Sequence, residues 1–454
     1  MSQREFDVIV IGAGPAGEVV AGRLGDGGLK VAIVERELVG GECSFYSCMP
    51  SKALLRPAEA VGEARRLPGA AEAITGELDV AAVLERRDEV IHDRDDSSQL
   101  PWLEERGVEL VRNHGRLTGE RTLSAGDDEL VARRAVVIAT GSCALIPPID
   151  GLRDAQPWTN RELTTTETVP ERLLILGGGV VGVEMAQAFA SLGSQVTLVE
   201  GGPRILTREE PFAAQQVHES LEQRGVTIIT GAEATAVRRN GEVTMELEGR
   251  EPVSGDEILV AVGRSLNTGD LGLETVGLQA GEPVAVRDTM QSTTHDWLYA
   301  IGDANGRVLL THMGKYQGRL AADHILGKPV ELRSDGAQSP RVTFTDPQVA
   351  AVGHTEASAR EAGLNVRAVE VGSGANAGGS FYGRGAPGTA RIVVDTDRRV
   401  IVGATFTGPD IGEFIHAATI AVIGEVPLER LWHAVPSFPT RSELWLRLLE
   451  EYGL

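Results

Sequence analysis

Cysteine is scarce in this sequence. Only three cysteines, Cys43, Cys48 and Cys143, occur among 454 residues. Three cysteines cannot form the disulfide framework of a small secreted domain, and a chain of this length gains little from one structural bridge. Because Cys43 and Cys48 are close in sequence, they suggest redox chemistry or metal binding. A zinc site needs further ligands, and no second cysteine pair supplies them, so we predict no metal site. Cys143 is expected to be a small buried residue.

Positive charge is also in the minority. The chain has 43 lysines and arginines against 65 aspartates and glutamates, which gives a formal net charge of −22. Such a surface repels nucleic-acid phosphates and anionic lipid headgroups. We therefore expect neither nucleic acid nor a membrane as a partner.

A long uninterrupted hydrophobic run is missing as well. The longest apolar stretch, residues 173–192, contains four glycines and Glu184. This composition favours a strand, a glycine turn and a helix over a membrane span. The N-terminus enters a strand pattern directly and shows no secretory signal, so the sequence predicts a cytoplasmic protein without membrane insertion.

Glycine, by contrast, is abundant, and two segments repeat one design. Residues 6–35 and 172–200 each contain an apolar strand, a glycine turn, a helix and a second apolar strand that ends in glutamate. This order predicts a βαβ unit with a parallel sheet. The terminal acid follows the first glycine by 23 residues in both copies, from Gly12 to Glu35 and from Gly177 to Glu200. Two such copies predict two dinucleotide sites.

The first glycine turn is a candidate dinucleotide site. Its glycines let the backbone approach a pyrophosphate at a helix N-terminus, where free N–H groups favour anions. Glu35, which Arg36 follows, lies where it can accept hydrogen bonds from a ribose. The residues of the turn are Gly12, Ala13, Gly14, Pro15, Ala16 and Gly17.

The second glycine turn is the candidate nicotinamide-nucleotide site. Its residues are Gly177, Gly178, Gly179, Val180, Val181 and Gly182. Glu200 in the ribose position suits a free 2′-hydroxyl and repels a 2′-phosphate, whereas the nearby Arg204 could hold that phosphate. This balance predicts NADH rather than NADPH. Hydride must pass from the nicotinamide to an acceptor, and a flavin is the natural one.

The sequence predicts an α/β fold with two Rossmann-like dinucleotide-binding domains and a C-terminal α+β domain. We place one dinucleotide-binding domain at residues 1–152 and 268–332, the other at 153–267, and the C-terminal α+β domain at 333–454. Residues 51–113 are predicted to be mainly helical, with helices over 54–66 and 80–107.

One segment carries a specific resemblance. Residues 40–52, Gly-Gly-Glu-Cys-Ser-Phe-Tyr-Ser-Cys-Met-Pro-Ser-Lys, closely resemble the active-site motif of the class I pyridine nucleotide–disulfide oxidoreductases. This family includes dihydrolipoamide dehydrogenase, glutathione reductase and mercuric reductase. The resemblance spans nearly the whole chain: it also covers Ala139-Thr140-Gly141, residues 299–303, which end in Gly302 and Asp303, and residues 344–356 of the dimerisation domain.

The resemblance implies a glutathione reductase-like fold and a homodimer. Residues 1–152 and 268–332 would then be the FAD-binding domain, 153–267 the NAD-binding domain and 333–454 the dimerisation domain. It also implies a set of residue roles. Cys43 and Cys48 would form a redox-active disulfide, with Cys43 meeting the substrate and Cys48 next to the flavin. Lys52 would sit beside the flavin, paired with Glu184, and Asp303 would bind the ribityl chain. His312 is a candidate for contact with the flavin ring. Further candidate cofactor-binding residues are Gly41, Thr140, Gly141, Gly263, Arg264 and Gly302.

The chain departs from the family at the C-terminus. The usual motif His-Pro-Thr-x-Ser-Glu supplies a general acid/base to the partner subunit. The best overlay places Phe438 at the histidine and keeps the acid as Glu443, and a second overlay replaces the histidine by Val435. His433 is the non-catalytic histidine in both. We therefore expect slow oxidation of ordinary dithiols, since this base contributes roughly 10²–10⁴ in rate.

The principal hypothesis is a homodimeric NADH-linked flavoprotein that reduces a small-molecule acceptor, either a small disulfide or an electrophile, through Cys43. Two alternatives stay open. The flavin could reduce a quinone or a metal ion directly, or the protein could be a non-enzymatic redox sensor. Mercuric reductase normally carries a C-terminal cysteine pair, and this chain has no cysteine after Cys143, which disfavours that activity.

Overall fold

The computed structural model describes residues 2–374, 376–386 and 388–454. Their contacts divide the chain into two compact units, and each unit is made of three separate stretches of sequence. The first unit comprises residues 2–50, 86–145 and 263–336, and the second comprises residues 51–85, 146–262 and 337–454. The division into three domains stays a prediction.

The first unit is built on a seven-stranded sheet. Five strands run parallel, and a hairpin extends the sheet on one side. Apolar side chains of the central strands are fully buried, which explains their near-continuous hydrophobic sequence. The parallel strands are Val108–Arg112, Val31–Glu35, Ser2–Ile11, Asp128–Ile138 and Leu298–Ala300, and the hairpin strands are Thr122–Ala125 and Gly115–Gly119. A separate two-stranded ribbon pairs Ser142–Ala144 with Arg264–Leu266.

The second unit contains three sheets. A parallel sheet has the strands Thr227–Thr230, Gln195–Glu200, Arg172–Leu176 and Glu257–Val260. A small antiparallel sheet has Ala234–Asn240, Glu242–Leu247 and Val253–Gly255. The C-terminal antiparallel sheet has Arg341–Thr343, Gln348–Gly353, Val400–Gly408, Thr389–Asp395 and Val366–Gly372.

Along the sequence, helices connect many of these strands, as alternating βα units require. Helices of ten residues or more are Pro15–Asp26, Cys48–Arg65, Val80–Val90, Val180–Ser191, Pro211–Gln223, Thr311–Ile325, Ile411–Ile423 and Glu443–Tyr452. Shorter helices are Gly41–Phe45, Leu100–Glu105, Asn160–Thr165, Glu356–Glu361 and Leu428–Leu431.

The predicted architecture is confirmed: two βαβ-based parallel sheets precede a C-terminal α+β region. The single helix predicted over residues 80–107 is wrong. The first helix ends at Val90, and His92, Asp93 and Arg94 have positive φ angles that no helix can continue through. A new helix begins at Leu100, where a proline in the first turn fits its start. Val108–Arg112, in the region predicted to be mainly helical, is a strand.

Candidate active site

The first glycine turn connects Ser2–Ile11 to the helix Pro15–Asp26. Gly12 has φ +102°, and a Cβ there would lie 2.5 Å from the carbonyl oxygen of Ala139. A Cβ on Gly17 would lie 2.0 Å from the Gly12 carbonyl oxygen, so neither position accepts a side chain. Gly14 caps the helix without a side-chain hydrogen bond, and the space beside it is open. Pro15 is in the first turn of the helix, where a missing N–H costs nothing.

Glu35 braces this turn from the end of the next strand. Its carboxylate accepts hydrogen bonds from the backbone N–H groups of Ala13 and Glu37, both at 2.7 Å. Arg36 is exposed and pairs with Glu37 at 3.6 Å. Glu35 thus has a structural task in addition to its predicted contact with a ribose.

Two further glycines, Gly41 and Gly314, allow neighbouring backbone to approach the turn closely. A Cβ on Gly41 would lie 2.8 Å from the Gly14 Cα. The Cβ of Ala16 lies 3.2 Å from the position that a Cβ on Gly314 would take. The helices Pro15–Asp26 and Thr311–Ile325 therefore pack closely beside the turn.

The second glycine turn repeats this geometry in the other unit. Gly177 has φ +111°, and a Cβ on Gly182 would lie 1.9 Å from the Gly177 carbonyl oxygen. Gly179 caps the helix Val180–Ser191 without a side-chain hydrogen bond, and Val181 is exposed. Glu200 accepts hydrogen bonds from Gly178 N and Gly202 N, both at 2.6 Å.

Arg204 is engaged by the backbone rather than left available to a ligand. Its guanidinium donates to the carbonyl oxygens of Leu206, Thr207 and Glu209 at 2.8, 3.0 and 2.9 Å. A second acid lies close by, because a Cβ on Gly201 would be 2.8 Å from a carboxylate oxygen of Glu233. The loop after Glu200 therefore presents negative charge.

The two cysteines of the motif meet at one hydroxyl. Cys43 lies in the short helix Gly41–Phe45, and Cys48 begins the helix Cys48–Arg65. The Thr311 hydroxyl donates to Cys43 Sγ at 3.2 Å and lies 3.5 Å from Cys48 Sγ. All three residues belong to the first unit. Sequence reasoning missed Thr311, although a hydroxyl at the start of the helix after Asp303 was a possible signal.

The surroundings of Cys43 act on its charge in opposite directions. The pKa of the Cys43 thiol is raised well above its usual range, chiefly by its hydrogen bond with Cys48 and then by burial. The hydrogen bond from Thr311 and the positive charge of Lys315 lower this pKa. The two sulfurs therefore resist carrying two negative charges at once.

Asp303 and Arg264 form a polar cluster at the ribbon of the first unit. Ser142 Oγ donates to Asp303 Oδ2 at 2.5 Å, and Arg264 Nε donates to Ser142 Oγ at 2.6 Å. Arg264 also lies 3.8 Å from carboxylate oxygens of Asp303 and of Glu42, the neighbour of Cys43. The structure thus brings the predicted residues Asp303 and Arg264 together.

The remaining predicted residues of the first unit lie in turns. Gly141, Gly263 and Gly302 have positive φ angles of +67°, +152° and +63°, which glycine adopts without strain. Gly302 N donates to the buried Gln317 side chain at 2.8 Å. The Thr140 hydroxyl is buried and has no hydrogen-bond partner in the structure.

In the second unit, Lys52 and Glu184 form the predicted ion pair at 2.7 Å. Glu184 also accepts a hydrogen bond from the backbone of Phe344 at 2.9 Å, and the Lys52 ammonium lies 4.9 Å from the Phe344 ring centroid. Lys52 lies one helical turn after Cys48 on the helix Cys48–Arg65.

The C-terminal segment contains Glu443 and the two residues that the overlays place at the family histidine. Phe438 and Val435, the two overlays of the family histidine, are 76% and 83% exposed. His433 is exposed as well. Glu443 begins the helix Glu443–Tyr452, and its Oε2 is buried without a hydrogen-bond partner in the structure.

Two other sequence expectations concern isolated residues. Cys143 is exposed, so the prediction of a buried residue is wrong: it lies on the two-stranded ribbon, paired with Ser265, and its side chain faces solvent. His312 follows Thr311 in the first turn of its helix and is exposed.

The described residues offer neither a metal site nor a membrane span. They contain no group of three or more histidine, cysteine, aspartate or glutamate side chains that could hold a metal ion. Within the same residues, no helix has both the length and the apolar character that crossing a bilayer requires.

Relatives from other organisms resemble the chain over almost all of its length. It is 34% identical to dihydrolipoyl dehydrogenase of Thermus scotoductus, with 97% of this chain and 96% of that protein covered. It is 30% identical to mercuric reductase of Staphylococcus aureus, with 97% of this chain and 81% of that protein covered.

Two solved structures are also similar to the chain over nearly its full length. The flavoprotein disulfide reductase RclA of Escherichia coli, solved as a Cu(II) complex, superposes with a TM-score of 0.87 at 25% identity, covering 98% of this chain and 99% of RclA. LpdA of Mycobacterium tuberculosis gives 0.86 at 25% identity over the full length of both chains.

Two family profiles match the chain. The profile described as pyridine nucleotide-disulphide oxidoreductase matches residues 6–318, and its dimerisation domain matches residues 339–448. The predicted glutathione reductase-like class is thereby confirmed. The chain belongs to the pyridine nucleotide–disulfide oxidoreductases, flavin-dependent enzymes that use FAD together with a nicotinamide nucleotide.

Proposed function

We propose that this chain is an NADH-dependent flavoprotein reductase in which Cys43 and Cys48 cycle between a disulfide and two thiols. The observation that carries the proposal is the contact of the Thr311 hydroxyl with both sulfurs. In the overall step NADH and one proton convert the disulfide to two thiols and NAD⁺. Cys43 then passes the electron pair to the acceptor, and the disulfide forms again.

FAD fits the first glycine turn. The uncapped helix start at Gly14 and the open space beside it suit a pyrophosphate. Glu35 would accept from the ribose, and Asp303 from the ribityl chain, while Arg264 offsets the charge of Asp303 and Glu42. When bound, FAD would supply the two-electron link between the nicotinamide and sulfur.

NADH is the proposed nucleotide. Glu200 and Glu233 place two carboxylates beside the loop where a 2′-phosphate would lie, and they repel it. Arg204, the one sign in favour of NADPH, donates to four carbonyl oxygens of its own loop.

Lys52 is proposed as the cation beside the flavin. The buried Glu184 accepts its hydrogen bond at 2.7 Å and so fixes the position of the ammonium group. An ammonium held in place stabilises negative charge that develops near it without reorganisation.

The proposed assembly is a homodimer, because the chain has the family's dimerisation domain. We propose the domains as an FAD-binding domain at residues 1–152 and 268–332, an NAD-binding domain at 153–267 and a dimerisation domain at 333–454.

The proposed acceptor is a small disulfide or an electrophile that needs no proton from an enzyme base. Phe438 and Val435 cannot donate or accept a proton, and His433 lies ten residues from Glu443 where the family spacing is five. Acceptors whose reduction depends on that base are therefore expected to react slowly.

Anaerobic titration of the oxidised holoenzyme with NADH tests the disulfide cycle. We expect two thiols to appear per disulfide, together with a long-wavelength absorption band from a thiolate beside the flavin. A Cys43→Ser variant should lose turnover with disulfide acceptors, whereas the matched control Cys143→Ser should keep it. Absence of both the band and the new thiols would refute the cycle.

A second candidate is direct reduction of a metal ion, as substrate, by the reduced enzyme. The likeness to RclA favours it, because RclA was solved as a Cu(II) complex both with its cysteines intact and with one cysteine replaced by serine. NADH would then reduce two Cu(II) to two Cu(I). Full Cu(II) turnover by the Cys43→Ser variant, with no turnover of disulfides by the parent, would favour this candidate.

A further inference from the structure

The Thr311 hydroxyl is placed to serve both sulfurs at once. Thr311 is the first residue of the helix Thr311–Ile325, and its Oγ1 lies 3.2 Å from Cys43 Sγ and 3.5 Å from Cys48 Sγ. In the first contact the hydroxyl donates, and in the second either atom can donate. A hydroxyl has one proton and two acceptor lone pairs, so it can donate to one sulfur while it accepts from the other.

We propose that Thr311 moves a proton between the two reduced cysteines and thereby decides which sulfur is the thiolate. In one arrangement the Cys48 thiol donates to Thr311 and Thr311 donates to a Cys43 thiolate. When the Cys48 proton passes to Thr311 and the Thr311 proton passes to Cys43, the negative charge moves to Cys48. Two bonds to hydrogen break and two form, and no electron or other reactant is involved.

The charges around the pair support a single shared negative charge. Cys48 and Thr311 each begin a long helix, and helix N-termini favour anions. The pKa of Cys43 is raised chiefly by Cys48 and then by burial, and it is lowered by Thr311 and by Lys315, one helical turn further on. Thr311 and Lys315 thus stabilise a thiolate on Cys43, the sulfur proposed to react with the acceptor, against the larger opposing effects of Cys48 and burial.

The proposal rests on the proposed disulfide cycle and explains how it could run without the family's histidine. At position 438 the chain has phenylalanine, which carries no proton. A transfer within the Cys43–Thr311–Cys48 group needs no base from outside the group. Thr311 would therefore be a catalytic residue that touches both reacting atoms.

Alkylation of the reduced cysteines tests the proposal without turnover. The holoenzyme carries Cys143→Ser, which removes the exposed third cysteine. It is reduced anaerobically with dithiothreitol, and the dithiothreitol is then removed. It is then treated with iodoacetamide from pH 5 to pH 10, and peptide mass analysis gives the alkylation rate of Cys43 and of Cys48.

Thr311→Val removes the hydroxyl and preserves the side-chain shape, whereas Thr311→Ser keeps the hydroxyl and loses a methyl group. We expect Thr311→Val to slow Cys43 alkylation near pH 7 by about 10-fold, which corresponds to about one pKa unit. Thr311→Ser should stay within about twofold of the parent. The Cys43:Cys48 ratio should fall in the Val variant alone.

Two outcomes would overturn the proposal. An unchanged pH profile in Thr311→Val means that the hydroxyl does not control the thiolate. An equal change in both variants means that Thr311 acts by packing. If Thr311→Val fails to bind FAD or to fold, Thr311→Ala against Thr311→Ser gives the same comparison. The alkylation experiment uses dithiothreitol as the reductant and does not depend on NADH. If NADH fails to reduce the enzyme but the pH profiles of alkylation are as expected, the proposed function is refuted and the role of Thr311 is not.

Discussion

Glu184 holds Lys52 with one carboxylate oxygen and the backbone of Phe344 with the other. Lys52 Nζ donates to Oε2 at 2.7 Å, and Phe344 N donates to Oε1 at 2.9 Å. The Glu184 side chain is 3% exposed and that of Lys52 is 35% exposed. A carboxylate can stay buried because both of its oxygens are satisfied.

Removal of Lys52 should destabilise the protein through the acid left behind. We expect Lys52→Met to lower the free energy of unfolding by about 1–3 kcal/mol, since a buried carboxylate loses its cation. The double variant Lys52→Met/Glu184→Gln should recover much of the loss, because the glutamine oxygen can still accept from Phe344 N. Urea unfolding of the parent, both single variants and the double variant measures the effect. A double variant less stable than Lys52→Met would contradict this account.

Discrimination between NADH and NADPH should depend on Glu200 and not on Arg204. Glu200→Gln should lower kcat/KM for NADH. It should also bring kcat/KM for NADH and kcat/KM for NADPH closer together, because it removes negative charge beside the 2′ position. Arg204→Ala should leave the ratio of the two kcat/KM values within about twofold, since its guanidinium is engaged by carbonyl oxygens of its own loop. Steady-state kinetics with both nucleotides tests this. A selective loss of NADPH activity in Arg204→Ala would show that the arginine binds the phosphate.

A histidine at position 438 should supply a base at the position where the family motif has one. Glu443 Oε2 is buried without a partner, so an acid that could orient an imidazole is already present. We expect Phe438→His to raise the rate of dihydrolipoamide oxidation by about 10-fold or more, with a new dependence on pH near 6.5. Phe438→Leu, which adds no proton carrier, is the control. Equal rates in the His and Leu variants would mean that the site cannot use a base there.

Glu18 should make stability depend on pH. Burial, opposed by Lys315 and aided by Glu35, raises the pKa of Glu18 from 4.5 to about 7. The folded state therefore binds more protons than the unfolded state between these values, and stability falls as pH rises from 4.5 through 7.

The variant Glu18→Gln removes this titration. We expect its Tm, compared with that of the parent, to rise most at pH 8 and least near pH 5. Glu104→Gln, a matched change at an exposed position, should shift Tm equally at both values. Parallel Tm profiles for Glu18→Gln and the parent would show that this carboxyl is not buried as described.

Local backbone sterics, which act within a few residues, are sufficient to predict the two βαβ units of this protein. A Cβ on Gly17 or on Gly182 would meet a carbonyl oxygen of its own turn within 2.0 Å, so each βαβ unit requires glycine there whatever surrounds it. The 23-residue interval to Glu35 and to Glu200 reflects the length of one helix and one strand. The motif from Gly40 to Lys52 likewise identified the family.

Longer stretches of apparent periodicity were less reliable. Residues 80–107 have a helical pattern, but the chain turns at residues 92–94 and a second helix begins at Leu100. The small size of Cys143 predicts a buried position, yet on the two-stranded ribbon its side chain is exposed. Periodicity describes which residues could share a face and not what packs against it.

The sequence by itself determined the family, the two dinucleotide folds and the cysteine pair. Only the tertiary structure brought Thr311 to sulfurs 268 and 263 residues away, and only it engaged Arg204 with backbone carbonyls. The physical reason is the range of the interactions. Turn sterics and helix starts act between neighbours in the chain, whereas the hydrogen bonds that give Thr311 its place depend on how the helix Thr311–Ile325 packs within its unit.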